Sequence, residues 1–199
     1  YIPLMKVLRR NPQIVDLRLE NVRGYQNFFL DDISEKFDFR LRKFSFGIPS
    51  SDTISGTIFE DNLLRFIRAQ EDTLEELRLS HSSAKIFNEI FPNFKHLKSV
   101  FTTYFIGFNE LTCGASRTIE KFLIPLSTQE GCQSFISRLP FAKFLFVQGL
   151  DFEVLQSVVL QLPYLKVLSF NNERGNCTRR YRQIIDENDY VNRDVKFSQ

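Results

Sequence analysis

The stretch Thr73-Leu74-Glu75-Glu76-Leu77-Arg78-Leu79-Ser80 places leucines at 74, 77 and 79, in the form Leu-x-x-Leu-x-Leu. One such stretch is any short strand; several at a steady spacing are a repeat, so self-similarity has to be tested before local structure is read. Six further copies align with it: Ile14-x-x-Leu17-x-Leu19, Leu41-x-x-Phe44-x-Phe46, Leu97-x-x-Val100-x-Thr102, Ile119-x-x-Phe122-x-Ile124, Phe141-x-x-Phe144-x-Phe146 and Leu165-x-x-Leu168-x-Phe170. A weak eighth is Val195-x-Phe197. The middle positions follow one another at steps of 22 to 33 residues.

A period of about 20–29 residues is that of leucine-rich repeats. The expected fold is therefore α/β: a leucine-rich-repeat solenoid of seven to eight irregular repeats, with a curved parallel sheet and helices on its convex side. Parallel neighbours need a crossover that carries the chain back to the start of the next strand. Residues 56–70, "GTIFEDNLLRFIRAQ", space Ile58, Phe59, Leu63, Phe66 and Ile67 for one helical face, with Glu60 and Asp61 early and Arg68 late, as the helix dipole favours. "AKIFNEIFPNF", "STQEGCQSFISRLP", "DFEVLQSVVLQLP" and "TRRYRQIIDEN" read as helices in the same way, and Pro92, Pro140 and Pro163 stop three of the five. The connection after Ser99, "FTTYFIGFNELTCGASRT", lacks a helical period and is expected to return as an extended loop. The whole chain, 1–199, then forms one repeat domain. Its apolar, uncapped start, "YIPLMKVL", leads to the expectation that it is a fragment with something ahead of Tyr1.

The helix and strand "NLLRFIRAQEDTLEELRLS" and the cadence of "FPNFKHLKSV" and "LPYLKVLSF" resemble the irregular repeats of F-box/leucine-rich-repeat proteins, in their C-terminal, substrate-recognition region. The resemblance covers nearly the whole chain as architecture, without the F-box. It implies a substrate receptor of a cullin-RING ubiquitin ligase, joined to the ligase subunits by an F-box outside this chain. The asparagine or cysteine that many repeats place three residues after the last strand leucine is replaced here by Val22, Pro49, Ser82, Phe105, Ser127, Gly149 and Glu173, so other groups must satisfy the turns. The 22 phenylalanines suggest a substitute for regularity. Phe44, Phe46, Phe122, Phe144, Phe146 and Phe170 fall on expected inward positions and would stack as an aromatic spine.

A solenoid whose inward residues are occupied in its core must function through its surface, chiefly the sheet. Strand alternation points Arg18, Lys43, Arg78, Phe101, Lys121, Leu123, Lys143, Leu145 and Ser169 outward, and these are the candidate partner-binding residues. The middle column reads Arg18, Ser45, Arg78, Phe101, Leu123, Leu145, Ser169: three apolar residues side by side, rimmed by Arg78, Lys121 and Lys143. Two readings are open. A protein or peptide docks there, or another part of the chain folds over it.

Composition narrows the function classes. The 199 residues are 43% hydrophobic and 25% charged, ordinary globular material. A formal net charge of +2 makes no field that would gather nucleic acid or an anionic membrane, so neither is expected as a partner. Basic residues follow the first apolar ones, the reverse of a signal peptide, and no apolar run reaches the length of a membrane span. Three scattered cysteines without Cys-x-x-Cys spacing suit a reducing compartment, hence a cytoplasmic or nuclear location. His81 and His96 lie on different elements without ligand spacing, and Asp31-Asp32, Glu75-Glu76 and Asp186-Glu187 are adjacent pairs that solvate rather than converge. No metal, cofactor or catalytic residue is expected, and the chain is not expected to be an enzyme. The basic run Arg179 to Arg182 is offset by Asp186, Glu187 and Asp189. The expected function is a protein-interaction domain, most specifically the substrate-binding part of an F-box ubiquitin ligase receptor. The alternative is a leucine-rich-repeat scaffold or inhibitor unrelated to ubiquitin.

Overall fold

The computed structural model describes residues 4–21, 39–49, 58–125, 129–148, 161–171 and 181–184. Eight strands form one open sheet in sequence order: β1 (Asp16–Leu19), β2 (Lys43–Phe46), β3 (Glu76–Ser83), β4 (Ser99–Ile106), β5 (Lys121–Pro125), β6 (Phe144–Gln148), β7 (Val167–Asn171) and β8 (Tyr181–Ile184). The first seven are parallel, and β8 runs antiparallel to β7. Among the described residues four α-helices lie between strands or at the start: α1 (Leu4–Arg10), α2 (Ile58–Arg68), α3 (Ala84–Asn93) and α4 (Gln129–Ile136). β8 is a correction. The arginine-rich segment from Thr178 was expected to be helical, yet its residues 181–184 pair with Val167–Phe170. The edge of β7 offers a row of unpaired backbone groups, and satisfying them outweighs a weak helical period. The segments 151–160 and 195–197, expected as a helix and a last strand, lie outside the described residues.

Register is carried across the sheet by one inner row: Leu17, Phe44, Leu77, Val100, Phe122, Leu145 and Leu168 stand opposite one another strand by strand. From Phe44 onward every member of this row is at most 5% exposed, which makes it the seam on which the helices lie. α2 presents Phe59, Leu63, Phe66 and Ile67 at helical spacing, and its rings reach the sheet: Phe66 to Phe44 at 5.0 Å between centroids, Phe59 to Phe46 at 5.4 Å. α3 and α4 continue the core. Phe87 and Phe91 of α3 and Phe135 of α4 meet Phe105, Phe108 and Phe122, with Phe135 4.8 Å from Phe105 and 5.3 Å from Phe87 in edge-on geometry. Such edge contacts place the positive rim of one ring on the negative face of the next. Among the described residues the rings gather in two groups rather than one spine: Phe44 and Phe46 with Phe39, Phe59 and Phe66, and Phe122 with the rings of α3, α4 and the loop after β4. Of the other expected members, Phe144 and Phe146 lie on the opposite face, and the side chain of Phe170 lies outside the described residues.

Without an asparagine ladder, the turns are held piecemeal. At the start of each strand one carbonyl accepts two successive N–H groups from the next strand, Val15 from Arg42 and Lys43, Arg42 from Glu75 and Glu76, and so on through Lys143 with Lys166 and Val167. Past the sheet's core, the Ser82 and Thr102 hydroxyls share a 2.8 Å hydrogen bond, and Thr102 Oγ1 also donates to Tyr104 O at 2.9 Å. Ser83, at the N-terminus of α3, spends its hydroxyl on the buried Glu60 of α2 instead of capping its own helix. The connection after β4 returns as a loop, as its sequence predicts, and side chains hold it from both flanks. Asn88 of α3 accepts from Thr112 N and Cys113 N at 2.8 and 3.0 Å and donates to Glu110 O at 2.9 Å. Arg138, after α4, donates to Leu111 O at 2.8 Å and Cys113 O at 3.1 Å. Gly107 starts this loop at φ +84, where an added Cβ would press against Ala84 Cβ at 3.3 Å, so glycine is required there.

Candidate functional site: the sheet face away from the helices

Because side chains alternate along a strand, the rows flanking the inner one face away from the helices. One outer row is Arg18, Ser45, Arg78, Phe101, Leu123, Phe146, Ser169, and the other is Asp16, Lys43, Glu76, Ser99, Lys121, Phe144, Val167. The two rows divide the face. Over β1 to β3 it is charged and polar; from β4 to β7 Phe101, Leu123, Phe144, Phe146 and Val167 make it largely apolar, at the roughly 4.8 Å spacing of adjacent strands.

Two candidate residues move relative to expectation. Leu145 is 2% exposed and stands opposite Phe122 on the inner row, and Phe146 takes its place beside Leu123. Lys143 precedes β6, and Phe144 occupies the position beside Lys121. The cause is a one-residue frame in "Phe141-Ala142-Lys143-Phe144-Leu145-Phe146-Val147". Phe141, Phe144 and Phe146 fit the repeat as well by type as Ala142, Leu145 and Val147 do, and a one-residue slip exchanges the two faces. The inner positions fall to Ala142 and Leu145, with Ala142 fully buried and Phe141 40% exposed. A signal for this was present in the sequence. With Leu145 as the middle residue, the steps from Leu77 through Val100, Phe122 and Leu145 to Leu168 become 23, 22, 23 and 23 residues, more even than the other frame allows.

The remaining candidates lie where alternation places them. Arg18, Lys43, Arg78 and Lys121 are exposed, and Phe101 and Leu123 are part-exposed. The backbone of Ser169 stands opposite Phe146, and its side chain lies outside the described residues. Cations close the border between the two halves of the face. The Arg78 guanidinium lies 4.5 Å from the centre of the Phe101 ring while it holds Glu76 at 2.6 Å, and the Lys121 ammonium lies 5.1 Å from that of Phe144. A cation over a ring covers part of its face yet leaves its edges available for contact. Arg18 is engaged by Asp16 at 3.0 Å on its own strand.

Other chemistry is sparse. Ser80 Oγ lies 3.1 Å from His81 Nδ1, but it also accepts Ile48 N–H at 2.9 Å, and the buried His81 ring rests 5.2 Å from that of Tyr104, so the pair ties β3 to the chain after β2. Burial pushes the Cys113 thiol above its ordinary range, against the pull of Arg138, which disfavours a reactive thiolate. Among the described residues no group of three or more His, Cys, Asp or Glu could hold a metal ion, and no helix is long and apolar enough to cross a membrane. Compared with known proteins, the chain matches no family model and no curated protein.

Proposed function

We propose that the chain is a leucine-rich-repeat interaction domain that binds a protein partner on the sheet face away from its helices. One observation carries the reading: Phe101, Leu123, Phe146 and Phe144 form a continuous apolar patch on that face, bordered by Arg78 and Lys121. Part-exposed apolar side chains on adjacent strands, rimmed by cations, have the anatomy of an interface centre with a polar rim. The parallel register, its even step of 22–23 residues from Leu77 to Leu168, and the packing of the described helices on the inner face support the repeat architecture behind this reading. More specifically, the resemblance of "NLLRFIRAQEDTLEELRLS" to F-box repeat proteins supports a substrate-recognition module of a ubiquitin ligase receptor.

Affinity purification of the chain, compared with a Phe101→Asp, Leu123→Asp variant of unchanged circular dichroism, tests the surface. Partners lost from the variant are expected; the same partners at the same yield refute the patch. Ligase subunits recovered with the chain support the ubiquitin reading. A partner without them leaves a scaffold.

A further inference from the structure

A second feature lies off the proposed partner-binding face, at the N-terminal ends of β4 to β7. There a cleft of about 450 Å³ is lined by Lys95, His96, Lys98, Arg117, Thr118, Glu120, Phe141, Lys143 and Tyr164. Four cations against one carboxylate give it a local charge of +3, more than the +2 of the entire chain. The positive charge of this nearly balanced protein is therefore gathered locally, which the whole-chain figure conceals.

Pairing within the cleft does not remove it. Glu120 is held by Lys143 at 2.9 Å. Lys98 acts on Glu75 from a distance, helping to hold its carboxyl low, while Glu75's direct partner is Arg42 at 2.7 Å. Among the described ion pairs neither Lys95, Lys98 nor Arg117 is a member. Like charges held together in a concave site raise the local concentration of anions.

Phe141 and Tyr164 add a second requirement. Their rings stack at 5.7 Å between centroids and 24° between planes, yet they remain 40% and 49% exposed. The pair forms a flat platform beside the cations. A bare anion uses the charges and leaves the rings idle, whereas a ligand with phosphate at one end and a planar heterocycle at the other uses both: phosphate oxygens accept from Lys and Arg, and the heterocycle stacks on the platform. The volume lies within the range of small-ligand sites.

We propose that this cleft binds a nucleoside phosphate, with Lys95, Lys98 and Arg117 around the phosphate and the Phe141–Tyr164 pair against the base. The same chemistry is offered by a free nucleotide and by a nucleotide within a single strand of RNA. The inference stands independently of the protein-binding reading, because none of these residues belongs to the Phe101–Leu123–Phe146 patch.

Titration calorimetry and fluorescence anisotropy with ATP, an eight-nucleotide RNA, inorganic pyrophosphate and a poly-glutamate peptide test it. Variants are Lys98→Ala with Arg117→Ala, and Tyr164→Ala, all at surface positions where circular dichroism should not change. The expected result is binding of ATP or RNA, weakened about tenfold or more by each variant, in line with a stacked base's contribution. ATP binding as tightly as the RNA identifies a free nucleotide as the ligand; binding of the RNA alone identifies the strand. Binding of pyrophosphate or poly-glutamate at equal affinity with no effect of Tyr164→Ala overturns the proposal in favour of a plain anion site or an acidic protein dock. So does absence of binding to both ATP and RNA by a folded chain.

Discussion

Leu123 stands opposite Phe146 across the parallel ladder of β5 and β6, and the same register sets the buried Leu145 against Phe122. Adjacent residues of β6 are thereby assigned opposite tasks, one to the core and one to the surface. Leu145→Ala is expected to cost about 2–5 kcal/mol, the range for a buried leucine that leaves a cavity. Phe146→Thr, which puts a strand-favouring β-branched side chain in place of the ring, should cost under about 1 kcal/mol while impairing partner binding. Urea denaturation of the two variants distinguishes them; a larger loss at 146 than at 145 would refute the register.

Phe135 is the hub of the aromatic cluster, within 6.1 Å of Phe87, Phe91, Phe105, Phe108 and Phe122. It is fully buried. Phe135→Ala should destabilise by about 3–5 kcal/mol, and Phe135→Leu by clearly less because most of the volume is retained. Calorimetric melting of both variants gives the comparison; near-equal Tm values for the leucine and alanine forms would deny the cluster its role.

Arg138 holds the connection between β4 and β5 through Leu111 O and Cys113 O. Arg138→Met keeps the aliphatic stem but strands two carbonyls, for an expected loss of about 1–3 kcal/mol. Amide hydrogen exchange should quicken at Thr112 and Cys113 before the strands are affected. Unchanged protection there would mean that Asn88 alone secures the loop.

The Glu75 carboxyl, hydrogen-bonded by Arg42, is held below its ordinary value of 4.5, with smaller help from Lys98 and His96. For an acid whose folded pKa is depressed, the stabilisation is present above the unfolded pKa and is lost as pH falls through the folded one. Stability should therefore decline below about pH 4.5, and more shallowly in Glu75→Gln, whose side chain cannot be protonated. Denaturant midpoints near neutrality and near pH 3 measure this; parallel acid limbs for the two proteins would contradict it.

The site was legible in proportion to how unambiguous each strand's frame is. Arg18, Lys43, Arg78, Phe101, Lys121 and Leu123 could be placed because the repeat frame that starts at Ile14, Leu41, Leu74, Leu97 and Ile119 assigns the inner positions of their strands. β6 could not be placed by residue type, since "FAKFLFV" offers an apolar residue in either frame, and only the even step favours Leu145. The cleft was invisible for another reason. Lys95, Arg117, Phe141 and Tyr164 come from four different connections, and only the parallel stacking of β4 to β7 brings them to one edge.

What the amino-acid order determined by itself is the repetition: apolar residues at a recurring interval dictate short strands, and the intervening 3.6-residue periods dictate α2, α3 and α4, because both signals are local and survive without knowledge of neighbours. What only the tertiary structure decided is facing and company. Which of two adjacent phenylalanines and leucines is buried, which rings join Phe135, and whether the last basic segment coils or pairs with β7 depend on unpaired strand edges and shared volume, quantities that exist only once the strands lie side by side.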